Sequence, residues 1–267
     1  MAKSPKVAVL MGSYNPRWDR LRRAVLSLQK QTLQDWELVL WDDGSHSQGA
    51  LALEQAAALD SRVRLYRGRE NRGLAYALNR CLERSHSPYL ARLDDDDACH
   101  PRRLEAQVSF LESHPQYGWV GSTARLVDRN GIWGTFPAPE VPGPRDFLAH
   151  SPYIHPTVMF RRQVLEEAGG YHQSARYVGC EDYELFFRLH RKGLAGYNLQ
   201  TPLLAYWEDR DSYRRRDVPR RLREASLRLD GLSRLGIPQP LPFLGSLRPL
   251  AASLVPGDLL HWVKRHG

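Results

Sequence analysis

The sequence predicts an α/β fold in which a mostly parallel sheet carries helices on both faces. Through roughly the first hundred residues, apolar runs of strand length alternate with amphipathic helical stretches, the pattern of strand–helix–strand units. The runs are continuous rather than alternating, as expected of strands covered on both sides. Each run also ends in a polar, turn-rich tip, and in parallel sheets ligands bind beyond the carboxyl ends of the strands.

Val7–Met11 is the first such run. Gly12-Ser13-Tyr14 reads as a turn, Asn15 as a helix N-cap and Pro16 as the first helical residue. Leu21, Ala24, Val25 and Leu28 then form one apolar stripe. Trp36–Trp41 is the second strand, ended by Asp42-Asp43-Gly44-Ser45, with a helix through Leu51–Leu59 behind it. Val63–Tyr66 is the third strand, and the Asn71-Arg72-Gly73-Leu74 turn opens a helix through Ala75, Leu78, Asn79 and Leu82. Tyr89–Leu93 is the fourth strand, opening onto Asp94-Asp95-Asp96-Asp97, with a helix start expected at His100-Pro101.

The alternation then breaks. Leu104, Val108 and Leu111 mark another helix, and Trp119–Ser122 and Ala124–Val127 look like strands. Thr135–Arg145 is a loop rich in Pro and Gly. His155–Phe160 reads as a strand and Arg161–Ala168 as a helix stopped by Gly169-Gly170. Glu181-Asp182-Tyr183-Glu184 opens a helix whose Leu185, Phe186 and Leu189 face the core.

A chain of 267 residues, 42% hydrophobic and 25% charged, has the composition of an ordinary globular protein with one large domain and room for an appendage. Cys81, Cys99 and Cys180 are widely spaced and form no CxxC, which argues against a disulfide framework and a zinc site and fits a reducing compartment. Met1–Lys6 leads into the first strand without the apolar stretch of a signal peptide. No apolar segment approaches the roughly 18 residues a spanning helix needs, so a cytoplasmic protein, soluble or peripheral, is expected.

Four adjacent carboxylates at a strand tip repel one another unless water or a cation screens them, and hard divalent cations take carboxylate oxygens. Metal binding, a solvated acidic loop and a helix N-terminus that favours negative charge are all compatible with the run alone. Glu181 and Asp182 likewise suit catalysis or the electrostatics of a helix start. There is no GxGxxG and no Walker lysine motif, so dinucleotide-binding and P-loop readings have no support. On so acidic an edge, phosphates would have to come in through a metal.

In order along the chain, Met11-Gly12-Ser13-Tyr14-Asn15, Gln31-Thr32 before Trp36-Glu37, Asp42-Asp43-Gly44-Ser45 and Asn71-Arg72-Gly73 with Asn79 form one set. Ala91-Arg92-Leu93-Asp94-Asp95-Asp96-Asp97, Pro101-Arg102-Arg103-Leu104 with Gln107, His155-Pro156-Thr157 and Glu181-Asp182-Tyr183-Glu184-Leu185 extend it. The set resembles glycosyltransferase family 2 across about 190 residues. Gly196–Gln200, Glu208-Asp209-Arg210-Asp211 and Arg214-Arg215-Arg216 are similar to the subgroup that builds biofilm and capsule exopolysaccharides.

The resemblance implies the GT-A fold, a Rossmann-like sheet with a C-terminal helical extension, divided as residues 1–210 and 211–267. It implies inverting transfer of a sugar from a nucleotide-diphosphate donor to a hydroxyl of a glycan or lipid-linked acceptor. The implied cofactor is Mg²⁺ or Mn²⁺ on Asp94 and Asp96, with Asp182 as general base. The donor would be contacted by Ser13, Tyr14, Asn15, Asp42, Asp43, Asn71, Arg92 and Asp95, of which Tyr14 and Asp43 match the base- and ribose-contacting positions. Many relatives carry a metal-site histidine after the last strand; Tyr206-Trp207-Glu208-Asp209 has none, so either an acid stands in or the site is more open. Cys180 is expected to pack rather than react. A nucleotidyltransferase, a non-catalytic relative and a transferase acting on nucleic acid remain as alternatives.

The net charge of +8 is concentrated in the tail, where Arg210 to Gly267 holds 12 Lys and Arg against 5 Asp and Glu, a balance of +7. Leu222, Ala225, Leu229 and Leu232 share one helical face, and Leu241–Val263 is mostly apolar. A helical bracket on the catalytic domain and a peripheral contact with anionic membrane lipid both fit this pattern. The absence of an RNA-binding motif argues against nucleic acid.

Overall fold

The computed structural model describes residues 4–209, 218–251 and 265. β1 (Val7–Ser13), α1 (Trp18–Gln29), β2 (Trp36–Asp42), α2 (Ser47–Ala57), β3 (Val63–Arg67), α3 (Leu74–Arg84) and β4 (Tyr89–Arg92) follow one another in the expected order. The continuous apolar runs are explained by burial on two faces. Val7, Val9 and Met11 of β1 pack with Leu21, Val25 and Leu28 of α1, while Ala8 and Leu10 join Leu78 of α3 on the opposite side. β1 pairs in parallel with β2 and β4, and β2 with β3. The register sets Ser13 beside Asp42 and Leu10 beside Arg92, so the polar tips leave the sheet along one edge.

The second half comprises β5 (Ala98–Cys99), α4 (Arg103–Ser113), β6 (Tyr117–Asp128), β7 (Gly131–Phe136), β8 (Met159–Arg161), α5 (Arg162–Glu167), α6 (Glu181–Arg191), β9 (Ala195–Trp207), α7 (Val218–Arg234) and α8 (Leu241–Ala251). Here the sheet turns mixed. β8 lies antiparallel between β4 and β6, β9 returns parallel to β6, and β7 hairpins back on β6. The two-residue β5 pairs with β9, Ala98 opposite Ala205, which brings the far end of the acidic run to the end of β9.

Three local expectations are revised. The helix expected from Pro101 begins at Arg103, and the Pro101 carbonyl accepts instead from the Thr32 N–H at 2.8 Å. The strand expected from His155 begins at Met159, after a 3₁₀ turn over His155–Thr157. Pro156 has no N–H for a ladder, and the Thr157 hydroxyl folds back onto the Ile154 carbonyl at 2.7 Å. The Pro/Gly loop is shortened from both ends, by β7 running to Phe136 and by a 3₁₀ turn at Pro144–Leu148.

Buried polar side chains fasten α4 beneath the acidic run. Gln31 Oε1 accepts from the Leu104 N–H (3.0 Å), and its amide donates to the His100 carbonyl (2.8 Å). The wholly buried Arg103 donates to the Arg92 carbonyl at 2.7 Å and to Gln107 Oε1 at 3.1 Å. Gln107 Nε2 in turn donates to the carbonyls of Val120 (3.0 Å) and Thr157 (2.7 Å), tying β6 to the 3₁₀ turn.

The described C-terminal helices lie on the α6 side. Leu227, Leu232 and Ile237 join the core cluster containing Phe186 and Leu189. The buried Arg228 donates to the carbonyls of Leu148, Ala149 and Gly245 and pairs with Glu224 at 2.7 Å. Among the described residues no helix is long and apolar enough to cross a membrane.

Replacing Gln107 with Ala should lower the urea midpoint of unfolding by the equivalent of about 2–6 kcal/mol, because two buried carbonyls lose their donor at about 1–3 kcal/mol each. An unchanged midpoint would show that this bracket is dispensable.

Candidate active site

The β1 and β2 tips are tied to each other by hydrogen bonds. Ser13 Oγ donates to Asp95 Oδ2 at 2.5 Å, joining the first tip to the acidic run. Tyr14 is 42% exposed, its ring edge-on to His46 with centroids 6.0 Å apart. Asn15 does not cap α1, which starts at Trp18 behind Arg17 with no side-chain cap. It takes the left-handed conformation (φ 50°), open to Asn because its short amide can bond locally. Its Oδ1 accepts from the His46 N–H (2.8 Å), and its own N–H donates to Ser45 Oγ (2.9 Å).

Asp42 and Asp43 part company at the end of β2. Asp42 is fully buried, with Oδ1 accepting from the Ser45 N–H (2.8 Å) and Oδ2 from Arg67 Nε (2.9 Å), so its carboxylate shapes the turn. Asp43 Oδ2 accepts from the backbone N–H groups of Arg72 (2.9 Å) and Gly73 (2.7 Å), and Oδ1 is buried without a protein partner. Burial pushes the Asp43 carboxyl above its usual range, against the pull of those two N–H groups. Asn71 Oδ1 also accepts from Gly73, at 3.1 Å, so Asp43 and Asn71 converge on one loop.

Each acid of the run has its own partner. Arg92 is buried and donates to the Leu93 carbonyl and to Asp94 Oδ1. It props the run from the end of β4, whose four residues are all buried. Asp96 Oδ2 lies 3.7 Å from Arg20 Nη1, and Arg23 donates to the Asp96 carbonyl. The side chains of Asp94 and Asp96 are 34% and 26% exposed. Asp97 is buried, its Oδ1 accepting from the Trp207 N–H at 2.7 Å. Burial, reinforced by the charges of Asp96 and Asp94, pushes its carboxyl well up.

At the end of β9, Trp207 and Asp209 meet the run through Arg20. Arg20 Nη2 donates to Asp209 Oδ2 at 2.9 Å, and Trp207 Nε1 donates to the same oxygen at 2.8 Å. The guanidinium carbons of Arg20 and Arg23 stand 4.2 and 4.6 Å from the centroid of the Trp207 ring. Arg20 and Arg23 carry no motif signal; they sit on the polar side of an ordinary amphipathic helix. Among the described residues, no three acids, histidines or cysteines form a ready-made metal cluster.

Asp182 lies in the first turn of α6. Burial, then the Glu181 charge, raise its carboxyl to about 6, opposed by the Tyr183 N–H and the Arg220 charge. Cys180 is buried with its thiol pushed up to about 12, consistent with packing. Tyr171, which no sequence signal marked, is buried in the segment between α5 and α6. Asn79 clamps its backbone, donating to the Tyr171 carbonyl and accepting from its N–H, both at 2.8 Å. Gly170 permits the clamp, since a Cβ there would stand 2.5 Å from Asn79 Oδ1. The Tyr171 hydroxyl meets His155 Nε2 at 2.8 Å, and the charges of Arg92, Asp182 and Asp94 all act on it. A cleft of about 280 Å³ lies alongside, with Arg72, Gly73 and Leu74 on one wall and His172, Ser174 and Glu181 on the other.

A sequence model of glycosyl transferase family 2 matches residues 8–169. The chain belongs to this family. This glycosyltransferase is 35% identical over 263 residues to the putative glycosyltransferase EpsE of Bacillus subtilis (strain 168), covering 98% of this chain and 94% of that protein. It is 32% identical over 200 residues to the amylovoran biosynthesis glycosyltransferase AmsE of Erwinia amylovora, covering 74% of each chain. The mannosyltransferase PcManGT of Pyrobaculum calidifontis, solved with GDP-Man and Mn²⁺, superposes with a TM-score of 0.65 at 20% identity, covering 98% of this chain and 80% of the other. That likeness establishes the fold, GT-A.

Proposed function

We propose that this glycosyltransferase moves a sugar, with inversion, from a nucleotide-diphosphate donor to a hydroxyl of a glycan or lipid-linked acceptor in the synthesis of a cell-surface exopolysaccharide. The observation that carries the reading is the pair Asp94 and Asp96, each part-exposed at the tip of the sheet in a chain of glycosyl transferase family 2. Asp182, in the first turn of α6 with its carboxyl raised to about 6, is an acid suited to base catalysis. The donor of PcManGT and the amylovoran role in the name of AmsE support the substrate class.

Tyr14 and Asp43 would hold the nucleotide, with Asn71 shaping the loop that Asp43 grips. Ser13, Asn15 and Asp95 set the conformation of the tips around it. Asp94 and Asp96 fit Mg²⁺ or Mn²⁺, for such ions take one or two carboxylates and complete their shell with substrate phosphates and water, without an all-protein cage. When bound, the ion offsets the charge of the departing diphosphate. Asp182 takes the proton of the acceptor hydroxyl. The acceptor oxygen bonds to the anomeric carbon from the face opposite the diphosphate, the bond to the phosphate oxygen breaks, and its electron pair leaves on the diphosphate. With its carboxyl near 6, Asp182 is ionised at neutral pH yet basic enough to accept that proton.

Residues 1–210 make the catalytic domain in this reading, with the helices after it as an extension seated on the cytoplasmic face of the membrane. Exposed Leu222 and Leu229 of α7 and Phe243, Leu244 and Leu247 of α8 support an interfacial contact. The arginine cluster at 210–216 lies largely outside the described residues.

Asp182→Asn should reduce transfer on the order of 10²–10⁴-fold. In the wild type, turnover should fall as pH drops through about 6 and the carboxylate is protonated. Transfer surviving in D182N removes the assigned base. Among UDP-, GDP- and TDP-sugars, one should raise the melting temperature further with Mn²⁺ than without. Asp96→Ala should abolish that metal-dependent increment, and an undiminished increment counts against Asp96 as a ligand. Vesicles rich in anionic lipid should sediment the full chain while phosphatidylcholine vesicles should not; equal recovery from both ends the membrane reading.

A further inference from the structure

The turn that delivers Asp182 is held from behind by the first turns of α7. Arg223 Nε donates to the Val178 carbonyl at 3.0 Å. One turn earlier, the Arg220 side chain lies against Gly179: a Cβ built there would stand 2.9 Å from Arg220 Nε and 3.1 Å from its Cδ. Gly179 also has φ +80°, so backbone and contact alike call for a residue without a side chain. Val178 and Glu181, on either side of the turn, line the cleft. In the sequence, Arg220 is one arginine among many in a basic tail; in the fold it stands at the start of the helix that carries Asp182.

We propose that Arg220 is a positioning residue for the transfer reaction, holding the Val178–Cys180 turn and setting a cation behind the Asp182 carboxylate, so that the C-terminal extension is part of the active site. This rests on Asp182 being the base. The groups acting on Asp182 from its surroundings define what Arg220 must do. Glu181 beside it on α6 pushes its carboxyl up and the Tyr183 N–H pulls it down. Cys180 and Tyr183 at the helix start, and Tyr171 from the segment after α5, are acids kept neutral chiefly by burial, with the Asp182 charge adding to the effect. From α7, Glu224 acts on Cys180 and Tyr183 but is paired with Arg228, whereas the Arg220 charge acts on Asp182 itself. Without that cation, a half-buried acid next to Glu181 would hold its proton nearer neutral pH and lose the charge a base requires.

The test is a carboxylate-labelled ¹³C NMR titration of the full chain, with D182N assigning the Asp182 signal. It is paired with the pH profile of turnover for the nucleotide sugar that gives the largest melting shift. Asp182 should titrate near 6 in the wild type and higher by on the order of one unit in R220Q, returning towards the wild-type value in R220K. The acidic limb of kcat should move with it while the donor KM holds. An unmoved Asp182 titration in R220Q overturns the proposal, as does equal impairment of R220K and R220Q, which would mark a packing contact alone. Turnover that survives in D182N overturns the assignment of the base as well. A dead D182N with an unmoved R220Q limb overturns only the role of Arg220.

Discussion

The constraint on which the rest of this molecule depends is like-charge repulsion at one edge of a sheet. Asp94 to Asp97 leave β4 together, and Asp42, Asp43 and Asp209 stand at the ends of β2 and β9 of the same sheet. At an effective dielectric near 20, two such charges 4 Å apart repel by about 4 kcal/mol. The fold answers with local partners: Arg92 beneath Asp94, Arg20 between Asp96 and Asp209, Arg67 on Asp42, and backbone N–H groups on Asp43 and Asp97. Asp94 and Asp96 nonetheless keep part of their surface open, which is where a cation and a diphosphate would add their own compensation.

The partners also make the edge rigid. Trp207 reaches the run because Asp97 holds its N–H and two arginines flank its ring. Asn79 fixes Tyr171, and Tyr171 meets His155, so α3 is joined to the turn carrying His155-Pro156-Thr157. Transfer chemistry needs its base and its leaving-group site held to within fractions of an ångström. Buried, hydrogen-bonded polar groups supply such fixity where apolar packing alone would leave rotamers free.

The C-terminal helices belong to this frame. Arg228 satisfies three carbonyls under α8, and Arg220 and Arg223 meet the turn ahead of α6. The described arginines of α7 thus spend much of their bonding on the protein, and the bracket reading of the tail explains more of them than a membrane surface does. What remains outward on α7 and α8 is chiefly apolar.

Sequence by itself determined the elements that depend on local periodicity. The uninterrupted apolar runs of β1, β2 and β4, and the stripe on α1, are written in spacings of two to eight residues. The acidic run, Asp43 and Asp182 were legible as polar residues at the ends of such elements, and the motif set carried the family. Only the tertiary structure decided the partners of adjacent acids: Asp42 turns to Arg67 while Asp43 grips the Arg72–Gly73 backbone, and Arg92 turns to Asp94. Only the fold made Asn15 a link to His46 rather than a cap, and only the fold brought Arg20 to Asp209 across 189 positions and Tyr171 to Asn79 across 92. The physical reason is range. Burial periodicity acts between near neighbours along the chain, whereas charge and hydrogen bonding act through space and take their partners from whatever the topology sets within a few ångströms.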